Sequence, residues 1–597
     1  VTDFYGRRLN LQIHDPPIVH EREYRHVLHF RYRRRPSGAV DSDFDIANAP
    51  ALAFAARATS SLPGAFPPAR ILDIDQLVQQ RSVDWPHRAQ FLASNFEQYL
   101  QMNVDASSIS FIDGSVLNSR PFREAIAAIR GRAAFRQVDR RLVYVDPNPA
   151  GAGIAAHRSV PGFFPTLKGA LSEIPLAQPV TDELIWIAKY NEETRRLRDL
   201  VEGARPRISR YVAEIVADNR DEPITPANIR AWREQANERS ALDAGFAYEA
   251  YVRLKLASAR DFVARLIMNI RGVRPDSSFA RAISAIIDAW AVHAGAVYEP
   301  TDNRSLYAEA TAGLESIPKW VTFLLAFDVD YRKRRLRFLI EGQNRLPFLQ
   351  DPEKFETFDV SSIASLKSRF YECYEGLEQR EATTVLNPET RDLIETIFQI
   401  GPSSAQVREV GNYAQSFAQR HRDKIDLLIE QLSSDIDLKA STCDIDILLA
   451  EARGLLPRMM NEVLVNYLGF AFWDVMTFPL MPWREAREFN EIRVDRISAE
   501  DAREVNKLGS YPLKGAAFNQ GAAFLSRAYR ENDYLLGRLH AIDRLIDMVA
   551  NAAGGAFQAG RSISAIKKRG FLRILEVEEP HLPSCAKLIT NIRSALS

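Results

Sequence analysis

The sequence predicts an α/β unit over residues 1–150 followed by a large, mainly all-α region. Three observations point to that fold class. Short β-branched runs alternate with helical segments in the first part, the stretch Asp-Pro-Asn-Pro-Ala-Gly-Ala-Gly at 146–153 interrupts them, and nearly every periodic segment beyond repeats at helical spacing. With 597 residues the chain is too long for one ordinary core, and 46% hydrophobic with 26% charged residues is a globular composition. The expected units are therefore 1–150, a linker over 151–180 and a helical extension over 181–597.

Taken in order, Val1-Thr-Asp3 reads as the end of a strand already in progress, so the chain is expected to begin inside its first unit. Tyr24 to Arg34 reads as a strand ending in a basic run, and Ala49 to Ser60 as an alanine-rich helix stopping before Pro63-Gly64. Ser108 to Ile112 and Arg141 to Val145 read as strands. Between them, Pro121 to Arg132 has Pro at the first helical position and apolar Ile126 and Ile129. Strand, glycine turn, helix and strand form a βαβ unit, which predicts 108–112 and 141–145 as adjacent or near-adjacent parallel strands.

In the extension, Thr225-Pro226 is an N-cap with Pro in the first turn, and Ser498-Ala-Glu-Asp501 is a capping box whose helix closes at Gly509 and Pro512. Leu535, Leu539, Ile542, Ile546 and Val549 recur at helical spacing, with Arg538, Asp543, Arg544 and Asp547 largely off that stripe. The stripe is expected to pack within the extension, because its mixed charges suit an anionic membrane surface poorly. No repeat period or low-complexity tract is present.

Lys+Arg and Asp+Glu both number 77, so the net field gives no reason to expect nucleic acid as a partner. Three cysteines, Cys373, Cys443 and Cys585, are too few and too far apart for a disulfide framework, which favours a reducing cytoplasm. An N-terminal leader outside these residues would leave secretion open. The most apolar stretch, Val463 to Trp483, is interrupted by Asn466, Asp474 and Pro479 and reads as buried core. His20-Glu21, His26 and His29 lack the spacing of a metal site, and no metal or cofactor is expected. The basic runs Arg31, Arg33, Arg34, Arg35 and Arg332 to Arg337 could attract anionic lipid head groups, but such runs are more often solvated faces or salt-bridge partners. Gly151-Ala-Gly153 lacks the third glycine and the strand and helix of a nucleotide loop.

Two segments carry a resemblance. Ala55 to Pro68 (AARATSSLPGAFPP) and Phe111 to Phe122 (FIDGSVLNSRPF), preceded by Val1-Thr-Asp3 and Gly6, are similar to the helix with proline-rich turn and the Asp-Gly motif of patatin-like phospholipases. Arg140 to Pro149, Glu491 to Ala502 and Arg530 to Leu539 resemble a bacterial patatin-related group with a long carboxy-terminal extension. The resemblance implies an acyl hydrolase acting on lipid esters, through a serine in a Gly-x-Ser-x-Gly elbow and an aspartate that takes its proton. Asp113 is the residue that matches this aspartate.

A serine hydroxyl needs a base within hydrogen-bond reach, and a strand-terminal carboxylate in a tight glycine turn can be aimed at it. Neither the elbow nor a glycine-rich oxyanion loop occurs in these residues, so the stretch is expected to lack its nucleophile and to be inactive alone. Ser115 stands where the family has Gly or Ala and reads as a turn serine. The alternative is a non-catalytic interaction or membrane-docking protein that retains the fold. Lipid or acyl-ester substrate and peripheral membrane contact are the partners implied; protein partners are not legible.

Overall fold

The computed structural model describes residues 1–12, 18–34, 40–63, 66–100, 102, 104–118, 121–129, 140–146, 162–163, 181–217, 224–273, 277–298, 317–349, 360–399, 401, 409–452, 454–480, 491–517, 526–553 and 562–596. The expected linker lies outside them apart from 162–163.

Strand β1 (Thr2–Gln12) pairs antiparallel with β2 (Ile18–Arg25), and β3 (Tyr32–Arg34) with β4 (Val40–Ser42). Gly6 sits at the irregularity in the β1–β2 ladder with φ of 68°, where a Cβ would come 2.7 Å from the Arg22 side chain. Helices α1 (Ala49–Thr59), α2 (Ile71–Gln80) and α3 (Arg88–Leu100) follow, then β5 (Phe111–Ile112), α4 (Phe122–Ile129) and β6 (Arg141–Val145). Phe54, Phe91, Phe96, Tyr99 and Phe111 form the first core, closed by paired backbone hydrogen bonds between Ala69 and Phe111.

The βαβ expectation does not hold. β5 is two residues long and runs antiparallel to β1, while β6 lies in another sheet and pairs in parallel with β7 (Arg493–Ile497). The reason is local at one end and distant at the other. Asp105 caps a short 3-10 turn, Ala106–Ser108, which takes Ser108 from the expected strand, and the ladder with β1 begins only at Phe111. β6 finds its ladder some 350 residues on, where Arg141 also bonds Asp495 at 2.9 Å. The expected strand Tyr24 to Arg34 is likewise split, because the chain leaves the sheet at Arg25 and turns the His26 ring into the aromatic core.

The extension is helical as expected, with β7 as its one strand among the described residues. Its elements are α5 (Thr181–Ala217), α6 (Pro226–Ala244), α7 (Phe246–Ile270), α8 (Ser278–Ala294), α9 (Lys319–Phe327), α10 (Val329–Gly342), α11 (Val360–Arg380), α12 (Pro388–Ile397), α13 (Val410–Arg420), α14 (Arg422–Ile436), α15 (Leu438–Glu451) and α16 (Pro457–Thr477). After β7 come α17 (Arg503–Lys507), α18 (Lys514–Ala517), α19 (Arg527–Ala553), α20 (Ile563–Glu578) and α21 (Ala586–Leu596). Thr225 caps α6 through Asn228 N–H at 3.2 Å, as its sequence predicts.

Helix α16 is the axis of the largest core. The segment Pro457–Leu480 is long and apolar enough to cross a membrane, yet 78% of its most apolar window is buried against surrounding helices such as α5 and α6. A second core joins α17, α19, α20 and α21 through Val505, Leu539, Phe571 and Ile589. Between the two parts of the chain, Phe122, Ile126 and Leu142 pack with Ile187, Tyr190 and Ile492.

Two expectations for the extension need correction. Ser498 to Asp501 is not a capping box: Ser498 Oγ accepts the near amide of Glu500, the Asp501 carboxylate binds Arg496 and Ser498, and α17 starts at Arg503. On α19 the apolar stripe is rotated. Leu535 and Leu539 are buried, Val549 is exposed, and Asp543, placed off the stripe by its charge, is wholly buried.

Candidate functional site

Asp113 immediately follows β5 and opens a 3-10 turn, Gly114–Val116. Its Oδ1 accepts the Ser115 N–H at 2.8 Å, its own N–H donates to the Ser61 carbonyl at 3.1 Å, and its carbonyl accepts Thr2 Oγ1 at 2.9 Å. The half-buried carboxylate is thus tied to the end of α1, to β1 and to its own turn, bringing together the two segments that carry the sequence resemblance. Ser115 is a turn residue whose backbone orients Asp113.

Beneath this turn lie three buried polar side chains, Asp3, Tyr99 and His26, that the sequence does not connect to it. Asp3 on β1 accepts the Tyr99 hydroxyl at 2.9 Å, and burial together with the adjacent Asp3 carboxylate raises the Tyr99 phenol above its ordinary pKa. His26 stacks on Phe96 with ring centroids 4.8 Å apart; burial, then the Arg7 charge, pushes its pKa down to about 3. A neutral imidazole in that aromatic setting is a packing group. Among the described residues, no three His, Cys, Asp or Glu side chains lie together as a metal site.

A groove of about 960 Å³ lies elsewhere, between β6, β7, α5, α17, α19 and α20, and Asp113 does not line it. Leu184, Ile187, Ile492 and Met548 contribute apolar surface, with Arg141, Arg493, Arg503, Lys507, Arg544 and Lys567 supplying positive charge. Lys567 is almost wholly buried and is held by Asp543 at 2.5 Å and Asp547 at 2.6 Å. Asp543 in turn accepts the Glu504 and Val505 N–H groups at 2.9 and 3.1 Å, so a carboxylate from α19 caps α17.

The basic run Arg332 to Arg337 is not a solvated face. Arg332, Arg334 and Arg335 are buried on α10, where Arg334 binds both Asp474 oxygens and Arg335 stacks on Tyr331 and Tyr467. Lys333 pairs with Glu381 and Arg337 with the Tyr374 hydroxyl. The salt-bridge reading of this run therefore holds, but inside the helical core. Of the other run, Arg31 pairs with Asp41 at 3.4 Å and remains largely exposed, and Arg35 lies outside the described residues.

A family model described as a protein of unknown function, DUF3376, matches residues 452–558. That span contains α16 and β7 and runs through α19, so it supplies one wall of the groove and the Asp474 and Asp543 carboxylates. No curated protein and no solved structure matches this chain significantly.

Proposed function

We propose that the protein is a lipid acyl hydrolase of the Ser/Asp-dyad type in which Asp113 is the general base. The observation that carries the reading is the Asp113 turn. A carboxylate at the end of a strand, with one oxygen fixed by the Ser115 N–H at 2.8 Å, has the arrangement needed to present its other oxygen to a serine hydroxyl. In this reading Asp113 accepts the serine proton as the serine oxygen attacks the ester carbonyl, and returns it to the departing alcohol. A water molecule, deprotonated in the same way, then releases the fatty acid and frees the serine. Backbone N–H groups would hold the negative oxygen of each tetrahedral intermediate. The 597 residues contain no Gly-x-Ser-x-Gly, so the proposal requires that elbow from sequence outside them.

The test is direct: the coding sequence preceding Val1 is read for the elbow, and the complete protein is assayed on fatty-acyl esters beside its Asp113→Asn variant. An elbow, turnover and loss of turnover in the variant are expected; absence of the elbow sinks the proposal. A second reading, a non-catalytic interaction module, is favoured by one observation, the separation of the groove from Asp113. Ester turnover that depends on Asp113 would exclude it.

A further inference from the structure

We propose that the groove between β6, β7, α17, α19 and α20 binds a phosphate-headed amphiphile, a site that does not depend on the role given to Asp113. The chain as a whole is neutral, yet six cationic side chains line this groove against three carboxylates, Asp495, Glu504 and Asp547. Asp543 behind Lys567 reduces the excess from three to two and does not cancel it.

Asp495 is engaged by Arg141 at 2.9 Å, Glu504 by Lys507 at 2.5 Å, and Asp547 by both Lys567 and Arg544. Arg503, exposed on α17, makes no side-chain ion pair or hydrogen bond among the described residues. Guanidinium groups recognise phosphate through paired N–H donors, and an arginine not already engaged by a carboxylate is the one able to do so.

The site is built rather than a chance surface. Lys567 is nearly buried and fixed by two carboxylates, one of which also caps α17 and so holds the helix carrying Arg503 and Lys507. Beside this charge the groove presents Leu184, Ile187, Ile492, Val494, Met548 and Ile563, which suit an aliphatic arm and would be wasted on a free anion.

The probes are octyl phosphate, which has no acyl ester to hydrolyse, and inorganic phosphate, each titrated calorimetrically into the 597-residue chain. Octyl phosphate below its micelle concentration should bind saturably and more tightly than inorganic phosphate. Arg503→Glu should weaken it by about ten-fold or more, the scale of one charge-assisted contact. Lys507→Glu should weaken it in the same direction, and Arg230→Glu, a distant exposed control on α6, should not. Circular dichroism melting verifies that each variant is folded. Absence of saturable binding, equal loss in the Arg230 control, or inorganic phosphate binding as tightly as octyl phosphate would overturn the proposal. Because binding is read without turnover, its failure leaves the hydrolase reading to its own test.

Discussion

The Arg334 guanidinium grips both oxygens of Asp474, at 2.7 and 2.9 Å, in the middle of the largest helical core. Tyr251 donates its hydroxyl to the same carboxylate at 2.7 Å, and the Phe478 ring lies 3.9 Å from the Arg334 guanidinium carbon. A buried pair of this kind need not exceed two apolar residues in stability, but each half depends on the other. Asp474→Ala should therefore destabilise the protein by about 3–5 kcal/mol in urea unfolding, since it strands a buried cation. The double variant Arg334→Met/Asp474→Leu should be less destabilised than the sum of its two single changes. Additive losses would show that the pair is not coupled.

Asp543 ties together α17, α19 and α20. Asp543→Ala removes the acceptor for two α17 amides and half of the charge that balances Lys567, at an expected cost of about 3–5 kcal/mol. The specific signature is local: hydrogen exchange at the Glu504 and Val505 amides should accelerate more than exchange on α16. Uniform acceleration throughout would mean that Asp543 acts only on global stability.

Two helical glycines should respond oppositely to alanine. A Cβ at Gly469 on α16 would lie 2.6 Å from Ile208 Cγ2 and 3.0 Å from the Trp473 ring, whereas one at Gly537 on α19 would have nothing within 4 Å. Gly469→Ala should cost about 1–3 kcal/mol by overpacking, despite better helix propensity. Gly537→Ala should add up to about 1 kcal/mol of stability. Paired denaturation curves decide this, and the same sign of change in both would refute it.

His26 links stability to pH. Its folded-state pKa of about 3 lies below the ordinary 6.5, lowered first by burial and then by the charges of Arg7, the Val1 ammonium and His29. Above the ordinary value the imidazole is neutral in both states. As pH falls from 6.5 towards 3 the unfolded chain takes up a proton that the folded chain refuses, so stability is lost across that window. The slope is at most about 1.4 kcal/mol per pH unit. His26→Phe should lose less stability than the parent between neutral pH and pH about 4.5, a window set by the same linkage. Parallel pH profiles for the two proteins would contradict this.

What the sequence reveals here is mostly local. The Thr225 cap and the α1 helix are written within a few residues of where they act, and α16 declares itself core by its run of apolar side chains. What it conceals depends on distant partners. Nothing near Arg141 names Arg493 as its ladder neighbour, and nothing near Arg334 names Asp474, 140 positions away. Charge counted along the chain allows Arg334 a salt-bridge partner and sets Asp543 off the apolar stripe, but it does not show that the fold buries each against its counterion. The Asp113 turn was legible because the aspartate, its glycine and the serine that orients it are consecutive. The groove was not, because its walls come from three separated stretches of sequence.

The measurement that bears most directly on the hydrolase reading is kcat/KM for fatty-acyl ester hydrolysis by the complete protein and by Asp113→Asn. Asparagine can keep the turn by accepting the Ser115 N–H, but it cannot take a proton from serine. The account predicts a fall of roughly 100- to 10,000-fold, the usual worth of a general base, with an unchanged melting curve. A folded Asp113→Asn protein that hydrolyses esters at the parent rate would contradict it.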